Sequence, residues 1–174
     1  RNLLAGRDCI TRIPAERWDW RDYDGDPRSA AYKTNIHWGG FIDGVFDFDP
    51  LFFGISPREA ELMDPQQRLM MMHAWNAIEN AGHTPTELAG QSVGLFVGTS
   101  SSGYRATPRD DASSFGHVAT GASPSIGPNR VSYILDLQGP SEPVETACSS
   151  SLVALHRAVQ SIQAGECDMA LVGG

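Results

Sequence analysis

The stretch Gly139-Pro140-Ser141-Glu142-Pro143-Val144-Glu145-Thr146-Ala147-Cys148-Ser149-Ser150-Ser151-Leu152-Val153-Ala154-Leu155 decides how the chain is read. Pro143 to Cys148 reads as a short extended run. From Ser149 to Ala164, Leu152, Leu155, Val159 and Ile162 recur at helical spacing until Gly165 caps the run. A cysteine is thereby set at the turn from a strand into a helix. Free N–H groups and the macrodipole at a helix start favour an anion, so the Cys148 sulfur is a candidate nucleophile near neutral pH. The same N–H groups can hold the oxyanion formed when a sulfur attacks a thioester carbonyl. Ala147 and Ser149 to Ser151 are small and leave room for an acyl chain to approach. The arrangement is that of a nucleophile elbow with cysteine in the place of serine. Its plainer alternative is a buried structural cysteine, which is what most lone cysteines are.

Working outward, Ala170-Leu171-Val172 begins a buried strand, and Cys167 at its opening reads as a small packed hydrophobe. Upstream, residues 125–138 predict a helix with Val131, Ile134 and Leu135 on one face, ended by Gly139-Pro140. Residues 99–114 read as a polar loop, and Val93-Gly94-Leu95-Phe96-Val97-Gly98 as a buried strand. Before it, Thr84-Pro85-Thr86-Glu87 starts a helical turn. Met71, Ala74, Trp75 and Ile78, spaced i, i+3, i+4, i+7, predict an amphipathic helix of about 17 residues from Pro65 to Ala81-Gly82. Ser56-Pro57-Arg58-Glu59 is a capping box, and Asp64-Pro65-Gln66-Gln67 repeats the device. Residues 13–50, with Trp18, Trp20 and Trp38, hold neither period and read as loop and short strand laid over a larger body. Leu3-Leu4-Ala5-Gly6 reads as the last turn of a helix, so the chain is expected to be cut from something longer.

Composition narrows the function classes. The 174 residues carry 13 basic and 21 acidic groups, a net charge of −8, and Lys33 is the only lysine. That balance argues against a nucleic-acid footprint. The acids form no run beyond Asp110-Asp111, which suits a solvated surface. Cys9, Cys148 and Cys167 make an odd set without paired spacing, pointing to a reducing, cytoplasmic compartment and away from a disulfide framework or a metal site. No apolar run is long enough for a membrane span, and the N-terminus has no signal-peptide pattern.

Several segments together carry a resemblance. Gly139 through Ala147-Cys148-Ser149-Ser150-Ser151 resembles the active-site signature of β-ketoacyl synthases. Phe48-Asp49-Pro50-Leu51-Phe52-Phe53-Gly54-Ile55-Ser56-Pro57-Arg58-Glu59-Ala60, Met63-Asp64-Pro65-Gln66-Gln67-Arg68 and Gly127-Pro128-Asn129-Arg130-Val131-Ser132-Tyr133 are similar to ketosynthase domains of modular type I polyketide synthases. Ile36-His37-Trp38-Gly39-Gly40-Phe41-Ile42-Asp43 and the glutamates of Ser141-Glu142-Pro143-Val144-Glu145-Thr146 look most like the trans-acyltransferase branch. The resemblance implies an α/β, thiolase-like layered αβαβα fold, of which only part is present. Residues 1–174 are then expected to be a partial β-ketoacyl synthase N-terminal domain, without the first strand and the C-terminal half.

The implied chemistry is acyl transfer from a phosphopantetheine carrier to Cys148, followed by decarboxylative Claisen condensation with malonyl-acyl carrier protein in polyketide or fatty acid biosynthesis. By position Cys148 matches the nucleophile, and its backbone N–H matches one oxyanion donor. The resemblance implies no covalently bound cofactor, the pantetheine arm serving as substrate carrier. The implied partners are acyl carrier protein, a second copy in a homodimer and adjacent synthase domains. Two rivals are a non-condensing acyl-transfer or docking domain and an unrelated thiol hydrolase with the same elbow.

The family also uses two histidines, in His-Gly-Thr-Gly-Thr and Asn-Ile-Gly-His type motifs, with a lysine nearby; neither motif occurs in this sequence. The chain alone is therefore expected to be inactive. His37, His73, His83, His117 and His156 read as packed or surface imidazoles; His156 is two helical turns beyond Cys148. Met70-Met71-Met72 and Trp75 read as packing, and Arg68 as a structural cation paired with a carboxylate or carbonyl near its helix start. The isolated polypeptide is expected to fold poorly, the strands at 93–97 and 170–172 lacking neighbours; a cooperative thermal transition would contradict this.

Overall fold

The computed structural model describes residues 2–104 and 112–174, and for 112–115 the backbone alone. Arg105 to Asp111, part of the expected polar loop, lie outside the described residues. The chain divides into two compact units, Arg1–Val45 and Phe46–Gly174.

In the first unit the opening turn is as expected. Gly6 is left-handed (φ 58°), and the Gly6 and Arg7 N–H groups donate to the Leu3 and Asn2 carbonyls. Two short strands, β1 (Ile10–Arg12) and β2 (Trp38–Gly40), pair antiparallel with Thr11 opposite Gly39. Within this unit the aperiodic aromatic rings lie on arginines and on one another. The Arg12 guanidinium sits 5.2 Å from the Trp38 ring centre and 5.7 Å from that of Trp20, and the His37 ring stacks on Trp20 at 4.2 Å. Turns are tied by carboxylates: the Arg21 backbone N–H holds the Asp19 carboxyl below its usual range, and the Arg28 side chain does so for Asp26.

The second unit opens with helix α1 (Pro57–Leu62), whose Ser56 cap accepts the Glu59 N–H at 3.1 Å. Only half of the expected capping box forms there. The Glu59 carboxylate instead receives Arg130 Nη1 at 2.5 Å, with His117 Nδ1 at 3.9 Å. Helix α2 (Pro65–Asn80) starts on the Asp64 cap, and the short helix α3 (Pro85–Leu88) has the full box between Thr84 and Glu87. Strand β3 (Val93–Gly98) follows. Helix α4 (Ala112–Ala122) begins inside the stretch read as loop, and helix α5 (Ile126–Ile134) stops four residues earlier than the sequence suggests. There the Asp136 backbone turns left-handed (φ 51°), so the chain leaves the helix before Gly139.

Strand β4 (Ser141–Val144), helix α6 (Ser150–Gln163) and strand β5 (Met169–Gly173) complete the unit. The sheet is parallel, with β3 between β4 and β5 and the registers Leu95–Ser141 and Leu95–Leu171. The strands expected to lack neighbours therefore pair with each other. Alternation along β3 divides the core. Val93, Leu95 and Val97 join Met71, Ala74, Ile78, Val131 and Leu135 in the larger cluster, whereas Phe96 joins Val144, Ala154 and Ala158 beneath α6. Of the methionine run, Met71 is buried in that core and Met70 and Met72 pack at its margin beside Trp75.

Candidate active site

Cys148 stands where the sequence sets it, in a 3-10 turn (Ala147–Ser149) that runs directly into α6. The turn is approached from β4 through Glu145 and Thr146, and Ala147 has a left-handed backbone (φ 53°). That conformation costs an alanine on the order of 1–2 kcal/mol, so surrounding bonds must hold it. They do. The Thr146 N–H donates to Ser150 Oγ at 2.9 Å, and that hydroxyl donates to the Ala147 carbonyl at 2.7 Å. Ser149 Oγ donates to the Thr146 carbonyl at 2.8 Å. In the sequence these serines stand out only as small residues. Their hydroxyls are the braces of the turn, a role signalled by serine's habit of bonding local backbone at helix starts.

Beneath the turn lies the end of β3. A Cβ on Gly98 would come within 2.9 Å of the Ser151 nitrogen and 3.0 Å of the Ser150 carbonyl carbon, so only glycine lets α6 rest its first turn on the strand. The Thr99 N–H continues the ladder to the Val144 carbonyl at 3.1 Å. Cys148 is thus displayed beyond the carboxyl ends of parallel strands, the side of an open α/β sheet on which ligands bind.

The residue is exposed and outside any disulfide, unlike a buried structural cysteine. Cys167 is that kind of cysteine: it is buried, and its Sγ lies 3.5 Å from Ser161 Oγ. Cys9 is exposed in the first unit. None of the five histidines bonds the Cys148 sulfur. His37 is held by Asp24 at 2.9 Å, His117 faces Glu59, His73 and His156 are exposed, and His83 follows the end of α2. Among the described residues no group of three His, Cys, Asp or Glu side chains could hold a metal ion. Arg68 is 8% exposed, and its buried Nε has no hydrogen-bond partner among the described residues.

A cavity of about 300 Å³ opens further along α6, lined by Phe96, Glu142, Arg157, Gln160, Ser161, Ala164 and Glu166. An ion pair from Arg157 Nη1 to Glu142 Oε2 at 2.7 Å crosses it from helix to strand, and Cys148 is not among its walls. Among the described residues no helix is long and apolar enough to cross a membrane.

Comparison with known proteins agrees with this geometry. The family model for the β-ketoacyl synthase N-terminal domain matches residues 1–174. Polyketide synthase PksN of Bacillus subtilis (strain 168) is 60% identical over 173 residues, 99% of this chain and 3% of PksN. The ketosynthase from module 6 of the bacillaene synthase of Bacillus subtilis 168 superposes with a TM-score of 0.82 at 38% identity, over 99% of this chain and 27% of that one. The Streptomyces albus JA3453 oxazolomycin ketosynthase domain OzmH KS7 gives 0.86 at 40% identity, over 99% and 30%. The chain therefore spans a small part of its relatives' length, and its mixed α/β fold is the thiolase-like one of these ketosynthases. It belongs to the β-ketoacyl synthase N-terminal domain family, in the form found in polyketide synthases.

Proposed function

We propose that the chain is the thiol-bearing part of a ketosynthase that extends polyketide or fatty acyl chains, and that Cys148 is its nucleophile. The observation that carries this is an exposed cysteine in the turn that runs into α6, beyond the carboxyl end of the sheet, with braced backbone around it.

In the first step the Cys148 sulfur attacks the carbonyl carbon of an acyl thioester borne on the phosphopantetheine arm of an acyl carrier protein. The carbonyl electrons move to oxygen, and the Cys148 backbone N–H is one donor to that oxyanion. Collapse breaks the bond to the arm, whose sulfur leaves as a thiolate and takes up a proton, while the acyl group remains on Cys148. In the second step a malonyl unit on a carrier protein loses carbon dioxide. The electron pair left on its α-carbon attacks the Cys148 thioester, and expulsion of the sulfur yields the β-ketoacyl carrier.

By the family resemblance the histidines of this second step belong to motifs absent from these 174 residues, so the chain by itself should not condense. The arm is a substrate carrier, and no cofactor is assigned to the chain. Acyl carrier protein, a second ketosynthase copy and neighbouring synthase domains in the cytoplasm are the expected partners, and the trans-acyltransferase branch is the expected type.

The test is intact-mass measurement on the complete ketosynthase domain incubated with an acyl-pantetheine thioester. One acyl adduct on the wild type and none on Cys148→Ala is the expected result. An adduct that survives Cys148→Ala overturns the assignment. Acylation without product on addition of malonyl carrier protein would convert the reading to a non-condensing acyl-transfer domain.

A further inference from the structure

Asp64 is 6% exposed, an expensive placement for a carboxylate unless hydrogen bonds satisfy it. Its Oδ1 caps α2 by accepting the Gln66 N–H at 2.8 Å, which accounts for one oxygen. The other oxygen reaches across 38 residues to accept Ser102 Oγ at 2.5 Å. Ser102 Oγ in turn accepts the Tyr104 N–H at 3.0 Å, and the Tyr104 hydroxyl donates to the Glu61 carbonyl at 3.0 Å. Next to Asp64, Gln66 Nε2 donates to the Ser100 carbonyl at 3.0 Å and its Oε1 lies 3.4 Å from Thr99 Oγ1. Four residues of the segment 99–104 are thus tied to the junction of α1 and α2.

This segment is the continuation of β3. Its first residue, Thr99, bonds the Val144 carbonyl four residues before Cys148, and the preceding Gly98 carries the first turn of α6. It therefore leaves the sheet at the carboxyl end of the strands, the end at which Cys148 is displayed. A capping carboxylate alone needs only its own helix; one that also fixes a loop beside the nucleophile has a second task.

We infer that Asp64 is a positioning residue: through Ser102, and with Gln66, it fixes segment 99–104 as a wall beside the Cys148 turn, against which an acyl thioester is aligned. The alignment part rests on the reading of Cys148 as the acyl acceptor. The bracket itself does not, and the experiment separates the two.

In the complete ketosynthase domain, Ser102→Ala removes the bridge at an exposed side chain and Ser102→Thr keeps the hydroxyl. Ser102→Ala should speed backbone amide exchange over 99–104 and 144–151 by about tenfold, the equivalent of one charge-assisted hydrogen bond. Acylation of Cys148 by acetyl-pantetheine should slow by about tenfold or more through misalignment, while alkylation by iodoacetamide, which needs no alignment, stays within about twofold. Ser102→Thr should restore exchange and acylation. Unchanged exchange over 144–151 in Ser102→Ala overturns the bracket, as does failure of threonine to restore it. Equal losses of acylation and alkylation overturn the positioning role in favour of general loosening. A wild type that takes no acyl group defeats the reading of the thiol, and the exchange measurement still decides the bracket.

Discussion

Helices α2 and α6 obey the same period and meet opposite fates. In α2 the residues Met71, Ala74 and Ile78 are buried against the sheet, as their spacing predicts. In α6 the large residues of the predicted stripe, Leu152, Leu155, Val159 and Ile162, are 71%, 50%, 45% and 44% exposed. The helix turns a different face to the sheet, formed by Ala154, Ala158 and Ser161. The cause lies in β3. Its positions in the core shared with α2 and α5 are Val93, Leu95 and Val97, whereas the opposite face carries Gly94, Phe96 and Gly98, with Phe96 and Gly98 beneath α6. Gly98 brings the first turn of the helix backbone close, and only small side chains fit between. Close approach is also what brings the Cys148 turn down onto the end of the strand.

If this comparison is right, the two stripes should differ sharply in energetic weight. Ile78→Ala, at a position 1% exposed, should cost about 2–5 kcal/mol. Urea unfolding of the 174-residue polypeptide would measure it, and a shift below about 1 kcal/mol would mean that α2 is not the anchored helix. Next in size is Gly98→Ala. Its new Cβ meets backbone atoms of Ser150 and Ser151, which cannot swing aside as a side-chain tip would, so overpacking should cost about 1–3 kcal/mol. The same variant should change the rate at which iodoacetamide alkylates Cys148, because the turn that carries the thiol must lift.

Legibility in the sequence follows the same division. Elements whose signals are local were readable: the caps at Ser56, Asp64 and Thr84, the strand at 93–98 and the strand-to-helix turn that displays Cys148. What depends on distant partners was not. The early end of α5 is set by a left-handed Asp136, and the Glu59 carboxylate leaves its own helix cap for Arg130, 71 residues away. Periodicity located α6 but could not say which of its two stripes meets the sheet, because the deciding residue, Gly98, lies on another element. At the site, the position of the thiol was legible, while the serine braces and the Asp64 bracket depend on side-chain geometry that spacing does not encode.

A smaller effect tests those braces. Ser150→Ala removes a hydroxyl that accepts the Thr146 N–H and donates to the Ala147 carbonyl, and it should cost about 1 kcal/mol. The urea midpoint reads this directly. A cost near zero would mean that Ala147 keeps its left-handed backbone without help from that serine.

The smallest expected effect on stability falls on the exposed stripe of α6. Leu152→Gln and Leu155→Gln replace side chains that bury little in this fold, and glutamine has nearly the helix propensity of leucine. Each should therefore move the unfolding free energy of the 174-residue polypeptide by no more than about 0.5 kcal/mol. Their larger consequence should be colloidal. With β3 paired on both sides, four exposed apolar residues on one helix face are a stronger reason for the isolated polypeptide to associate than an open central strand. Light scattering during thermal unfolding should thus show aggregation delayed in the double glutamine variant while the urea midpoint stays in place. A midpoint that falls as far as that of Ile78→Ala would show instead that the leucine stripe is packed, and that α6 meets the sheet through the face its spacing first suggested.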